Sequence, residues 1–202
     1  MIGSILTSTG DMPLSAQSSS SATIFGGGGY PNGATMNEGG NMYRYLSGTG
    51  VSPGATGADS VLAVFSMPAN SFDITGREIF VSAMGGFASN TNVKRVKLWW
   101  GATTAVVGST ISGGTLIADT GNYSTTGAVG WSIAASVFNI SGVNAQLGIH
   151  VSSQMGSAIG PLLSPVTLSA NESAAILIAV TGNATTTASD IVCNGFVVTG
   201  FN

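Results

Sequence analysis

The side chains able to do proton or metal chemistry are few and scattered: one His (His150), one Cys (Cys193), five Lys or Arg and eight Asp or Glu in 202 residues. For nucleophilic hydrolysis there are many Ser and Thr, but His150 is the one conventional base, and no G-x-S-x-G elbow presents a nucleophile. Paired-carboxylate glycosidase chemistry needs two acids roughly 5 to 10 Å apart. Asp59, Asp73, Glu78, Asp119, Glu172 and Asp190 are each isolated in sequence, so any such pair must come from folding. No His, Cys, Asp or Glu cluster has metal-ligand spacing. The glycines follow neither the Walker pattern nor a strand-to-helix G-x-G-x-x-G. The expectation is therefore a protein with no catalytic residue, no metal and no cofactor.

Charged residues make up 6% of the chain, against roughly 25% in an ordinary soluble domain. Neutral hydroxyls and amides, or other copies of the chain, must cover such a surface. A net charge of −3 and a pI near 4.7 give no broad positive field, which argues against nucleic acid as the main partner. Mean hydropathy is +0.40, yet the longest strongly apolar stretch, 174 to 180, is far shorter than the roughly 20 residues of a spanning helix. No membrane partner is expected. The first residues lack the basic start and sustained apolar centre of a secretory signal. The N-x-S/T matches at Asn122, Asn139, Asn171 and Asn183 then read as chance in an Asn-, Ser- and Thr-rich chain, and a single thiol excludes an internal disulfide framework.

From residue 1 to 57 the chain is punctuated by Ser18 to Ser21, Gly26 to Gly29, Gly39-Gly40 and Gly48-Thr49-Gly50, with little period-2 or period-3.6 pattern. Glycine runs raise the entropy cost of ordering. This segment reads as an extended, irregular N-terminal arm that orders on a partner or sister subunit; the other reading is a disordered tail with incidental aromatics. Its aromatic islands supply candidate anchors: Phe25, Tyr30, Tyr43 and Tyr45.

Residues 58 to 202 have another texture, with short β-rich runs separated by Gly, Asn, Ser and Pro. Strands are predicted over 61–67, 79–84, 93–100, 116–119, 131–140, 147–152, 174–180 and 191–199. Pro68 and Gly85-Gly86 read as the stops of the first two. Eight short strands without a long amphipathic helix indicate one all-β antiparallel sandwich or barrel domain. In 147–152, alternation places the apolar odd positions inside and His150 outside. The run 176–180 is apolar on both faces, so its second face needs a subunit, the arm or a loop. In 93–100, Val96, Leu98 and Trp100 form one face and Arg95, Lys97 and Trp99 the other. Aromatic plus Arg is interface composition, so Arg95, Lys97 and Trp99 are candidate subunit-interface residues; the other reading is a Trp covered by its own loop, with solvated cations. Three of the five cations lie here, where any acidic partner would meet them.

These features together resemble bacteriophage virion structural proteins of the single jelly-roll type, including head decoration (cement) proteins and head or tail fibre components. The resemblance is carried by Gly57 through Phe72 with its Pro68-Ala69-Asn70 turn, Gly76-Arg77, residues 83 to 92, and Lys94-Arg95-Val96-Lys97-Leu98-Trp99-Trp100-Gly101. It ends in Thr181-Gly182-Asn183-Ala184 through Val198. It implies a jelly-roll subunit of a virion, usually a homotrimer, assembled in the host cytoplasm and placed on the particle surface. It brings no catalytic residue. The leading functional expectation is a cement protein bridging major capsid proteins, the arm spreading across neighbours. The alternative is a fibre or receptor-binding module reading a host glycan through loops 109–114, 121–130 or 152–165, with Tyr123, Trp131 and Asp119 as the nearest candidates.

Overall fold

The structure, a computed structural model, describes residues 41–51, 57–184 and 190–201. Twelve strands follow in chain order: β1 (Asn41–Val51), β2 (Ser60–Met67), β3 (Glu78–Phe87), β4 (Asn90–Ala102), β5 (Thr115–Asp119) and β6 (Tyr123–Thr125), then β7 (Val129–Asn139), β8 (Gln146–Met155), β9 (Ala158–Ile159), β10 (Val166–Leu168), β11 (Ile176–Ala184) and β12 (Ile191–Phe201). Two antiparallel sheets pack as a sandwich. The first has the order β1-β12-β3-β7-β8-β10, with β9 also on β8; the second has the order β2-β11-β4-β5, with β6 also on β4. The chain alternates between sheets, so that β12 enters between β1 and β3, and β11 between β2 and β4. That nesting of two Greek keys is a jelly roll. The hairpin strands β8 to β10 widen the first sheet.

Local sequence explains the strand limits. β2 stops before Pro68, which cannot donate to a ladder, and Asn70 (φ 59°) and Gly76 (φ 92°) take the left-handed turns that follow. Alternation then fills the space between the sheets. Phe65, Leu98, Trp100 and Ile178 come from the second sheet and Ile79, Val81, Val137 and Phe196 from the first, all fully buried.

All eight predicted strands are present, most of them longer than expected. Four differences have physical causes. Residues 41–51, assigned by composition to the arm, form β1, paired to β12 from Asn41 opposite Thr199 to Val51 opposite Cys193. Tyr43 stacks on Phe65 with ring centroids 5.3 Å apart and tilts against Phe196 at 5.7 Å; Tyr45 packs beside it on the core. Two aromatics at period 2 outweigh the glycines around them. The jelly roll therefore begins at β1, and a boundary at residue 57 would remove its first strand.

Gly85-Gly86 does not end a strand but lies within β3. An added Cβ at Gly85 would collide with the Val192 carbonyl oxygen and lie 2.7 Å from Cζ2 of Trp131. Only glycine lets β12 and that indole approach so closely. In β8 the expected faces are exchanged. Gln146, Gly148 and His150 point inward, while Leu147 and Ile149 are half-buried and Val151 exposed. Gly148 is inside because Ile117, Val166 and Leu168 leave no room for more, each 3.0 to 3.2 Å from where a Cβ would stand. The register skips from Ala134–Ser152 to Ala135–His150, a bulge at Val151 that reverses the alternation, so Ser153 and Met155 also point inward.

Finally, the outer side of β11 is covered within the chain. Trp99 is paired with Ala179 and donates its Nε1–H to Thr181 Oγ1 at 2.9 Å, and Ala179 and Thr181 are 0% exposed. No second subunit is needed there.

Overpacking a core typically costs about 1–3 kcal/mol. Gly85→Ala should lower the urea-unfolding free energy by about 3 kcal/mol. Gly86→Ala, whose added Cβ comes no closer than 4.0 Å to Val129 O, should change it by less than about 1 kcal/mol. A chain starting at residue 41 should keep the cooperative unfolding of the full chain. One starting at residue 58 should lose it, as read by circular dichroism.

Candidate functional site

Each sheet turns one face outward, and the two faces differ in charge. On β4, at the outer side of the second sheet, Arg95, Lys97 and Trp99 stand together as expected, all half-buried. Their polar groups are engaged within the chain. Arg95 donates through Nε to both Asp119 oxygens at 2.8 and 3.0 Å and through a terminal nitrogen to the same carboxylate. Burial pushes the Asp119 carboxyl up, but the Arg95 hydrogen bond, the Gly121 amide and the charges of Arg95 and Lys97 outweigh it, holding it below the usual carboxylate range. Lys97 Nζ donates to Asp59 Oδ2 at 2.7 Å and lies 5.7 Å from the centre of the Trp99 ring. The carboxylates of Asp59 and Asp119 already take the place that an acidic partner would fill.

Lys94 is the neighbour that reading β4 as a cation cluster misplaces. The same alternation that puts Val96 inside puts Lys94 inside, and it is 0% exposed. Its Nζ donates to Asn90 O at 2.9 Å, Asn90 Oδ1 at 2.8 Å and Asn92 O at 2.9 Å. The amides of Asn90 and Asn92 donate in turn to the two oxygens of buried Asp190, at 2.6 and 2.7 Å. Charge is thus passed through asparagines to a carboxylate without a direct ion pair.

A similar arrangement holds Glu172, 1% exposed, at the opposite end of the sandwich. Its carboxylate accepts from Asn139 Nδ2 at 3.0 Å, Gln146 Nε2 at 2.6 Å and the Asn144 amide at 2.7 Å. Asp73 pairs with Arg77 at 3.2 Å, and Glu78 accepts from Ser136 Oγ at 2.7 Å. Each of the six described carboxylates therefore has a partner in its own fold.

The remaining reactive groups are enclosed. His150 is 4% exposed rather than outward, its Nδ1 accepting from the Leu163 amide at 3.0 Å. Burial pulls its pKa below the ordinary histidine value, against smaller opposing effects of the Ser152 backbone and the Asp119 charge. Cys193 is buried, and burial pushes its thiol up to about 12, which keeps it out of the nucleophilic thiolate form. Among the described residues, no three of His, Cys, Asp and Glu gather as metal ligands. A hollow of about 200 Å³ at Trp100, Gly114, Thr115 and Ser169 and a groove of about 260 Å³ at Val151, Ser153, Ile159 and Leu162 contain no titratable side chain.

The glycan candidates do not assemble either. Tyr123 and Trp131 both stack on one ring, Phe87, at 5.8 and 6.1 Å. Trp131 is 3% exposed and Asp119 2%. Of the four arm anchors, Tyr43 and Tyr45 are packed on the chain's own core, and Phe25 and Tyr30 lie outside the described residues.

The outer face of the first sheet is the contrasting surface. Its seven strands contain two Lys, Arg, Asp or Glu residues, Arg44 and Glu78, whereas the second sheet's five contain Lys94, Arg95, Lys97 and Asp119. Among the described residues, this face presents area with few charges.

No family model matches the chain, and no curated protein is similar enough to match it. Among solved structures it is similar to the CBM2 module of an evolved Dit from Lactobacillus casei BL23 phage J-1. That similarity has a TM-score of 0.32 and 11% identity, and covers 86% of this chain and 78% of that one.

His150 also makes stability depend on pH. Below about pH 6.5 the unfolded chain takes up a proton that the folded ring resists. This part of the stability is complete above that value and is lost as pH falls through the folded pKa. The melting temperature should drop between pH 7 and pH 5. His150→Gln, which keeps an acceptor for the Leu163 amide, should flatten that slope in a thermal-melt series.

Proposed function

We propose that this protein is a structural subunit of a phage particle, a capsid decoration protein that bridges neighbouring major capsid proteins. The observation that carries the reading is the division of polar labour in the fold. The charges of residues 57–184 and 190–201 are matched within the chain, reactive groups are enclosed, and an almost uncharged sheet face is left outward. Enzymes need the reverse, with ionisable groups left open at a cleft. The sequence resemblance to single jelly-roll virion proteins supplies the particle.

The arm gives such a subunit a second attachment. Residues 1–40 lead directly into β1, at the edge of the sandwich, so a contact made by Phe25 or Tyr30 is tethered to any contact made by the jelly roll. Tethering turns the second contact into an intramolecular event and can raise the combined affinity by about 10²–10⁴. Tyr43 and Tyr45 then serve as the fixed root of the arm rather than its grip. Arg95, Lys97 and Trp99 remain a candidate contact between jelly rolls, with the Arg95 side chain 37% exposed against 12% for Lys97. A fibre-tip glycan module is the weaker reading, since its aromatic candidates form no open platform.

The test is binding to capsids stripped of decoration. The full chain should bind. A chain lacking residues 1–40 should stay folded and bind about 100-fold more weakly. Undiminished binding by the shortened chain would remove the arm from the mechanism, and failure of both chains to bind would remove the capsid role.

A further inference from the structure

We propose that the outer face of the first sheet is a docking surface for a second copy of this chain. The inference concerns self-association and does not rest on the particle reading.

One row of residues shows how the face is built. Leu46, Gly195, Met84, Ser132, Gln154 and Ile159 are paired in register across β1, β12, β3, β7, β8 and β9. Met84 and Leu46 close over Gly195, within 3.1 and 3.3 Å of where its Cβ would stand. Water still reaches them, Met84 at 45% exposed and Leu46 at 58%. In the adjoining row, which begins at Arg44 and Val197, Ser82, Ala134 and Ser152 follow across β3, β7 and β8, so over those three strands another flat surface can approach closely. Phe80 and Phe138, both half-buried, continue the face beyond it.

Three properties favour a second copy as the occupant. The first is apolar exposure. Of the twelve large apolar side chains exposed among the described residues, six lie on this sheet or on its β9–β10 connection: Leu46, Met84, Val151, Ile159, Leu162 and Phe201. Contiguous apolar patches beyond a few hundred Å² are uncommon on monomers and mark interaction sites.

The second is charge. An interface between identical faces sets each charge near its own copy, and the sheet's two charged residues lie at its margins: Glu78, held by Ser136 in its own chain, and Arg44, on the edge strand β1. An almost uncharged face meets itself with little like-charge repulsion, as a symmetric contact requires. The second sheet's ion pairs would meet the same ion pairs.

The third is size. Five strands about 4.8 Å apart and ten residues of about 3.3 Å each span on the order of 800 Å², with β3 and β8 each ten residues long. About that much per partner is buried in a standard stable interface.

The experiment is the solution mass of the full chain, by light scattering after gel filtration, at several concentrations. The expected result is a mass of two or more 20.0 kDa chains. Met84→Lys and Val151→Lys should each weaken association at least about tenfold, with melting temperatures unchanged. Val106→Lys, at a position 64% exposed on the β4–β5 connection, should leave association as it is. A monomer at every concentration would overturn the proposal. So would an oligomer that ignores both face substitutions. A monomer that associates only after residues 1–40 are removed would assign the face to the chain's own arm, also overturning it. Because no capsid enters this assay, its outcome and that of the particle reading are independent.

Discussion

Glu172 is a carboxylate buried to 1% exposure whose hydrogen-bond partners are all neutral, and the closed end of the sandwich depends on it. Taking such a charge out of water costs several kcal/mol unless donors replace the lost hydration. Here the donors come from separate connections, so satisfying the charge also fixes the chain. Asn139 and Asn144 belong to the β7–β8 corner. Asn139 also donates to Phe72 O at 2.7 Å, and the Asn70 amide donates to Glu172 O at 2.7 Å, which draws in the β2–β3 turn. Gln146 closes on Ala170, its Nε2 donating to Ala170 O and its Oε1 accepting the Ala170 amide, both at 3.0 Å. Asn90, Asn92, Lys94 and Asp190 repeat the principle at the far end, around a cation as well as an anion. A chain poor in charge builds its electrostatic anchors from amides.

That economy decides which surfaces remain for function. With both ends occupied by internal networks and the Arg95 and Lys97 cations matched to Asp119 and Asp59, most of the described charge is engaged within the chain. Buried networks of this kind resist rearrangement, because breaking one leaves several polar groups unpaired in a low dielectric. The outer face of the first sheet carries no such obligation. Most of its surface is methyl, methylene, aromatic ring, hydroxyl and glycine, with the charges of Glu78 and Arg44 at its margins, which adds area without demanding many counter-charges.

Much of the fold was legible in the sequence, for reasons visible strand by strand. β4 reads correctly because Val96, Leu98 and Trp100 alternate with Arg95, Lys97 and Trp99 without interruption. The same rule, extended two residues back, would have placed Lys94 inside. Its charge argued the other way, and the Asn-x-Asn-x-Lys spacing that neutralises it has no meaning until the β3–β4 turn folds. β8 defeats alternation because a bulge at Val151 changes its phase, and because the inward residues are glycine, glutamine and histidine, chosen by space and hydrogen bonding rather than hydrophobicity. β1 is hidden by its glycine-rich surroundings although Tyr43 and Tyr45 have the right period. β6, β9 and β10, two or three residues each, are too short to carry any period. The amide networks were unreadable for a different reason: Asn, Gln and Ser occur throughout, and only tertiary contact distinguishes a buried amide from a solvated one.

β1 joins the two proposed contacts mechanically. Its Tyr43 packs on Phe65 and Phe196, its Leu46 supplies the edge of the sparsely charged face, and the residues before Asn41 are the proposed arm. A load entering through the arm acts at the start of β1, along a strand whose ladder with β12 extends to Val51. Such a load must shear several backbone hydrogen bonds together with the tyrosine packing before β1 separates, whereas a pull across the ladder would break them one at a time. Antiparallel pairing on a central strand of the roll therefore makes the least regular part of the sequence a firm point of attachment. A tether rooted in a loop would give way before its contacts did; one rooted in β1 transmits force to the core.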